Sequence, residues 1–192
     1  DEQNGFADIT VTVNDAQGRA IDSETFELTV TPVNDDPILS DIGAQVTDED
    51  TDFTIDLSAS DVDIDENAQT LTYSAVSSDT SLVFVSTTTE GDGTTGTLTF
   101  DVQAEQNGSA EITVTITDDG TGNLTDSETF MLTVNAVNDD PILSDIGAQV
   151  TDEDTDFTID ISASDVDISE NGQSLTYSAV SSDTSLVFVS TT

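Results

Sequence analysis

The sequence predicts an all-β chain of tandem seven-stranded antiparallel β-sandwich domains. Three observations carry this: a long internal repeat, period-two alternation of apolar residues within it, and clusters of Asp, Asn, Gly and Ser separating the alternating runs. The stretch NDDPILSDIGAQVTDEDTDFTID begins at Asn34 and again at Asn138. The copies run together to Thr88 and Thr192, differing only where Leu57, Asp65, Ala68 and Thr70 become Ile161, Ser169, Gly172 and Ser174. Residues from Glu2 to Val33 match those from Glu105 to Val137 through EQNG, an ITVT run and DSETF. Residues 1–33 therefore read as the end of one repeat, 34–137 as a complete repeat and 138–192 as the first part of the next. A period of about 100 residues is too long for a solenoid unit and fits one sandwich domain.

Within the complete repeat, strands are expected over 38–46, 53–58, 71–76, 82–86, 97–102, 110–117 and 129–135, with no helix. Alternation turns inward Phe53, Ile55 and Leu57; Leu71 and Tyr73; Leu98 and Phe100; Ile112, Val114 and Ile116; and Phe130, Leu132 and Val134. The fourth strand, with Leu82, Val83, Phe84 and Val85 in a row, does not declare its face. Threonine fills many outward positions, as a solvated pleated surface favours. Tyr73 and Tyr177 occupy equivalent positions and read as core. Pro32, Pro37 and Pro141 all fall at repeat junctions, where a fixed φ stiffens a short connection.

The chain carries 41 acidic residues against one basic residue, Arg19, and no histidine, for a net charge of −40. Disorder is the common fate of such acidity, but 34% of this chain is hydrophobic and regularly placed. Nucleic acid and direct contact with an anionic membrane are excluded as partners, because both need clustered Lys and Arg. With no cysteine there is neither disulfide nor thiolate metal site. No apolar run approaches a membrane span and no signal peptide opens the sequence, which reads as an interior segment of something longer.

The acids are grouped: Asn34, Asp35 and Asp36 at the junction; Asp48, Glu49 and Asp50 before the second strand; Asp61, Asp63, Asp65 and Glu66 between the second and third; Asp118 and Asp119 between the last two. Two carboxylates about 4 Å apart repel by roughly 4 kcal/mol at an effective dielectric of about 20. The second-to-third and sixth-to-seventh loops of a sandwich share one end with the chain entry, and the remaining acidic turns lie at the other. Head-to-tail stacking would gather oxygen ligands alone at each junction, which suits Ca²⁺.

The linker VNDDP (Val33 to Pro37, Val137 to Pro141) resembles the Asn-Asp linker of cadherins. Glu49 resembles their first-strand glutamate, Asp61-Val-Asp63 their Asp-x-Asp motif and Asp118-Asp-Gly120 their acidic turn. With its SDVD loops and YSAVSSDTSLV strands, the chain is most similar to the extender repeats of giant bacterial adhesins of the repeats-in-toxin class. The resemblance covers essentially the whole chain and implies immunoglobulin-like (cadherin-like) sandwiches. It implies one calcium junction from Asn34, Asp35, Asp36, Asp61, Asp63 and Asp118 with Glu2. It implies a second from Asn138, Asp139, Asp140, Asp165 and Asp167 with Glu49 and either Asp101 or Glu105, the cadherin Asp-Arg-Glu motif having no clean counterpart here. The exchange of Asp65 for Ser169 marks that acid as dispensable.

The expectation is a calcium-rigidified spacer at the bacterial surface or outside the cell, holding a distal binding domain, with neighbouring repeats as its partners. The out-of-register ends leave two readings: a window on a longer polymer, or halves complementing between copies of the chain in a fibre. The rival function is a glycan-, ice- or receptor-binding adhesion module, disfavoured because near-identical repeats suit a spacer better than a tip. An EF-hand is rejected because its sixth and twelfth positions, Gly and Glu, are filled by Glu66 and Thr72. An enzyme is not expected: without His or Cys there is no conventional base or thiol nucleophile to nominate, and among so many carboxylates chance pairs are certain.

Overall fold

The computed structural model describes residues 3–15, 17, 20–170 and 172–191. Glu2 and Arg19 lie outside the described residues. The chain divides into two compact units, Asp1–Asn135 and Ala136–Thr192.

The first unit opens with a hairpin of β1 (Gly5–Asn14) and β2 (Ala20–Val30), paired antiparallel with a register shift at Val13/Asn14. The sandwich follows. Its strands are β3 (Ile38–Leu39), β4 (Gln45–Asp48), β5 (Phe53–Ser60), β6 (Leu71–Ser77), β7 (Val83–Glu90), β8 (Thr95–Val102), β9 (Gly108–Asp118) and β10 (Thr125–Asn135). One sheet has the order β3-β5-β8-β7 and the other β4-β10-β9-β6. The pairings are antiparallel except β4 with β10, which is parallel.

The predicted inward set is the observed core. Leu57, Leu71, Leu98, Phe100, Ile112, Val114, Ile116 and Leu132 are fully or almost fully buried, and Phe53 and Ile55 pack against them from partly buried positions. Phe100 lies at the centre, stacked on Phe53 at 4.3 Å between centroids and edge-on to Phe130 at 6.3 Å. In the fourth strand of the repeat, Leu82 and Val83 are buried and Phe84 is exposed.

The structure departs from expectation in three places. The strand expected over 38–46 is broken in two: β3 pairs with β5 in one sheet and β4 with β10 in the other. Two carboxylates hold the crossing segment, Asp126 accepting the N–H of Leu39 at 2.9 Å and Glu128 that of Ile42 at 2.8 Å. Both stand in phase with inward-facing Phe130, so they face the sandwich interior, where charge-assisted bonds satisfy backbone donors that no strand reaches.

The second departure is a short helix between β5 and β6, α1 (Asp63–Asn67), where no helix was expected. It ends at Ala68, which takes the left-handed conformation at φ 56°. Acidic loop composition hides a single helical turn from any periodicity argument.

The third concerns the second unit. Among its described residues only β11 (Ile142–Leu143) pairs with β12 (Ala163–Ser164), followed by a further turn of helix, α2 (Asp167–Glu170). Residues 53–60 form β5 because β8 supplies their ladder, and residues 71–77 form β6 because β9 does. The near-identical residues 157–162 and 175–181 have no ladder partner among the described residues and form no strand. Tyr177, expected in a core, is accordingly 36% exposed while its counterpart Tyr73 is buried.

The two copies also provide a test of local strain. The second has Gly172, at φ 68°, where the first has Ala68. A left-handed alanine costs about 1 kcal/mol or more over glycine. Ala68→Gly should stabilise the sandwich by about 1 kcal/mol; urea unfolding of the full chain checks it, and an unchanged midpoint would mean that the turn carries no strain.

Candidate metal centre

The end of the sandwich that receives the linker gathers residues from three separate segments. Asn34 and Asp35 come from the linker, Asp61 and Asp63 from the end of β5 and the start of α1, and Asp118 from the end of β9. The Asp63 carboxylate accepts the backbone N–H of Asp35 at 2.8 Å, and the Asp61 carboxylate that of Asp63 at 2.9 Å. Asn34 Nδ2 donates to Asp118 Oδ2 at 2.9 Å, while Asp118 Oδ1 takes the N–H groups of Gly120 and Leu124, each at 3.0 Å. Asp63 and Asp118 are almost wholly buried, at 2% and 3% exposure, which for carboxylates requires this density of donors.

Asp61 stands apart from this satisfied set. Its Oδ2 is buried and has no hydrogen-bond partner. Burial raises its carboxyl above the ordinary aspartate range, and the charges of Asp63, Asp118 and Asp35 raise it further against the opposing N–H of Asp63. A buried anionic oxygen with three carboxylates pressing on it and no donor is what a cation site looks like before its ion is considered. The donor set is all oxygen, which fits a hard cation such as Ca²⁺.

Five residues expected at the first junction, Asn34, Asp35, Asp61, Asp63 and Asp118, are thus brought together. Asp36 is exposed beside them, and Glu2 lies outside the described residues. In the second unit the same local arrangement recurs: Asp139 N–H donates to Asp167 at 2.8 Å and Asp167 N–H to Asp165 at 3.0 Å, with Asp167 only 1% exposed. Asp140 is exposed, like Asp36.

At the opposite end of the first unit's sandwich, Glu49 is buried at 3% exposure and receives Asn107 Nδ2 at 3.4 Å. Beside it in sequence, Asp50 accepts the N–H of Glu105 at 3.0 Å. Asp101 points the other way. It lies between buried Phe100 and Val102, so it is on the outer face of β8, where Gln103 donates to it at 3.3 Å. Of the two alternatives left open by the sequence, Glu105 belongs to the turn region with Asp50 and Asp101 does not. The alternation of β8 already carried that signal.

Gln69 was not read from the sequence, and Gly120 was read only as the end of the Asp118-Asp-Gly120 turn. Gln69 donates from Nε2 to Asn34 Oδ1 at 2.5 Å, and Gly120 sits so close to the Asn34 amide that an added Cβ would overlap its oxygen. Neither is ionisable, and in near-identical repeats recurrence singles out nothing.

The bacterial Ig domain family matches residues 34–133, more than half of the chain. The chain belongs to the bacterial Ig domain family. Among solved structures, this bacterial Ig chain is similar to the mouse clustered protocadherin PcdhgC3 EC1-3, at 19% identity over 85% of this chain and 54% of that one, with a TM-score of 0.47. It is similar to the protocadherin GammaB4 extracellular domain at 21% identity, over 86% of this chain and 29% of that one, TM-score 0.47. Surface layer protein SbsC, domains 1-6, is similar at 20% identity over 73% of this chain and 18% of that one, TM-score 0.41. The chain therefore spans 18% to 54% of the lengths of these structures. No curated protein matches. Among the described residues of this bacterial Ig chain, no helix is long and apolar enough to cross a membrane.

The electrostatics of Asp61 set a sign. A carboxyl raised on folding favours the folded state fully below its unfolded value of about 3.9, and that contribution is lost as pH rises through the raised folded value. Ionised Asp61 thus opposes folding of metal-free protein at neutral pH. Asp61→Asn should melt a few degrees above the parent chain in chelator at pH 7, with the gap closing below about pH 4. Thermal melts at both pH values decide it; a variant that melts lower at pH 7 would show that the carboxylate is not under repulsion.

Proposed function

We propose that this chain is part of a calcium-rigidified extender, a spacer of a large bacterial surface or extracellular adhesin that holds a distal binding domain away from its anchor. The supporting observation is the buried Asp61 Oδ2, without a donor, at the point where the linker enters the sandwich. Bound calcium would supply the positive charge that no side chain of the repeat offers. The chain's own residues would do the rest: Asp61, Asp63 and Asp35 converge from the helical turn and the linker, and Asp118 closes the set from β9. At the second linker, Asn138, Asp139, Asp140, Asp165 and Asp167 form the corresponding set, with Glu49 and Glu105 as its counterparts from the preceding repeat.

On this reading 1–33, 34–137 and 138–192 belong to successive repeats, each partnered by its neighbours in the chain. A calcium-poor interior leaves the acidic repeats repelling one another, and a calcium-rich exterior stiffens them, which accords with a location at or beyond the cell surface. The family membership, the linker sequence and the near-identity of the repeats support a spacer over a glycan, ice or receptor-binding tip, and give no substrate to transform.

Extracellular modules bind calcium with a Kd of about 10⁻⁴ to 10⁻³ M, and an ion at ~100 times its Kd adds about 2.7 kcal/mol per site. At roughly 4 °C per kcal/mol, one filled site raises the melting temperature by about 10 °C. Calcium added to chelator-treated protein should produce that rise by circular dichroism and lengthen the particle in small-angle scattering. An unchanged melting temperature together with an unchanged maximum dimension would reject the extender.

A further inference from the structure

The linker asparagine is held by more than acids. After α1, left-handed Ala68 reverses the chain so that the Gln69 N–H returns to the Asp63 carbonyl at 3.4 Å and the Gln69 side chain reaches the linker. Its Nε2 donates to Asn34 Oδ1 at 2.5 Å. On its other side Asn34 donates to Asp118 Oδ2 at 2.9 Å and to the Thr121 carbonyl at 3.3 Å. Gly120 leaves room for the Asn34 oxygen where any other residue would place a Cβ against it. The Asn34 amide is therefore engaged at both ends by its own sandwich.

The second copy supplies an independent instance. There Gly172 takes the left-handed position, Gln173 N–H returns to the Asp167 carbonyl at 3.3 Å, and Gln173 Nε2 donates to Asn138 Oδ1 at 2.6 Å. The second unit has no described counterpart of β9 and its Asp118, and the glutamine to asparagine bond is made all the same. The bond depends on the helical turn, the reversal and the linker.

We infer that Gln69 and Gln173 are positioning residues that latch the linker asparagine to the helical turn of the repeat following it without any cation. The contact joins two neutral amides, so neither removal of metal nor mutual repulsion of the acids acts on it directly. It takes one of the two lone pairs of Asn34 Oδ1, which makes the asparagine a strut of the junction whether or not an ion is bound. Calcium then orders the carboxylates around a linker that is already directed, and the flexible element in metal-free protein lies before Asn34 and Asn138 rather than after them. That last consequence rests on the calcium reading; the latch does not.

Hydrogen exchange on the full chain in chelator separates the two. The Asp35 amide, which is bonded to Asp63 immediately beyond the latch, should be protected in the parent chain without metal. In Gln69→Ala and in Gln69→Glu, which keeps the length of the side chain but loses the donor, it should exchange at least tenfold faster while the amides of β9 are unchanged. Equal exchange of Asp35 in parent and variants overturns the latch, as do equal rises at Asp35 and throughout β9. An Asp35 amide protected only after calcium is added also overturns it while leaving the calcium reading standing; a protected amide in a chain that takes up no calcium does the reverse.

Discussion

The constraint on which this structure turns is that many carboxylates must be placed on a small fold with no cationic side chain beside them among the described residues. The chain meets it with backbone N–H groups. Asp126 and Glu128 hold the crossing segment between β3 and β4, Asp52 accepts Val102 N–H at 2.9 Å, and Asp119 accepts Thr70 N–H at 2.8 Å. The N–H and hydroxyl of Thr70 keep the Asp119 carboxyl below the ordinary aspartate range, the reverse of Asp61. Each acid so placed does structural work that a neutral residue would do less well, because bonds to charged acceptors are the stronger ones. Among the described residues the supply of donors fails at a few buried atoms, Asp61 Oδ2 and Asp139 Oδ2 among them, and the first of these directs attention to the linker end.

The paired copies separate what local sequence decides from what distant partners decide. The helical turn after Asp63 or Asp167, the left-handed residue that follows, and the bonds from Asp35 or Asp139 to the turn appear in both. These involve residues close in sequence or joined through a short linker. Apart from the short pairing of β3 with β5, which returns as β11 with β12, the strands do not recur among the described residues, since β5 and β6 exist through ladders to β8 and β9. In an all-β domain the hydrophobic pattern proposes a strand and a partner remote in sequence makes it one. The linker contacts of Asp35 and Asp63 are of the local class, and they recur at Asp139 and Asp167 where no sandwich is described around them.

That division also explains what could be read in advance. The inward residues were legible because a sheet with one buried face imposes alternation, and Phe100, Ile112 and Leu132 obey it without exception. The break between β3 and β4 was not, because Asp126 and Glu128 precede the last strand as expected from residue 129, although they share the phase of Phe130. At the site, the carboxylates were legible from their grouping and from the resemblance of the linker. Gln69 and the part Gly120 plays against Asn34 were not: one is a neutral side chain and the other acts by what it lacks. Asp101 was offered alongside Glu105 because the cadherin Asp-Arg-Glu motif has no clean counterpart here, and the alternation of β8 separates the two.

The central claim is that the Asp61 oxygen left without a donor is where a calcium ion binds. A crystal structure of the full chain grown with calcium tests it most directly. The account predicts an ion bonded to Asp61 Oδ2 among Asp35, Asp63 and Asp118, with the strut from Gln69 to Asn34 intact beside it. Finding that oxygen hydrogen-bonded to water or to a protein donor, with calcium present and no ion against it, would contradict the account.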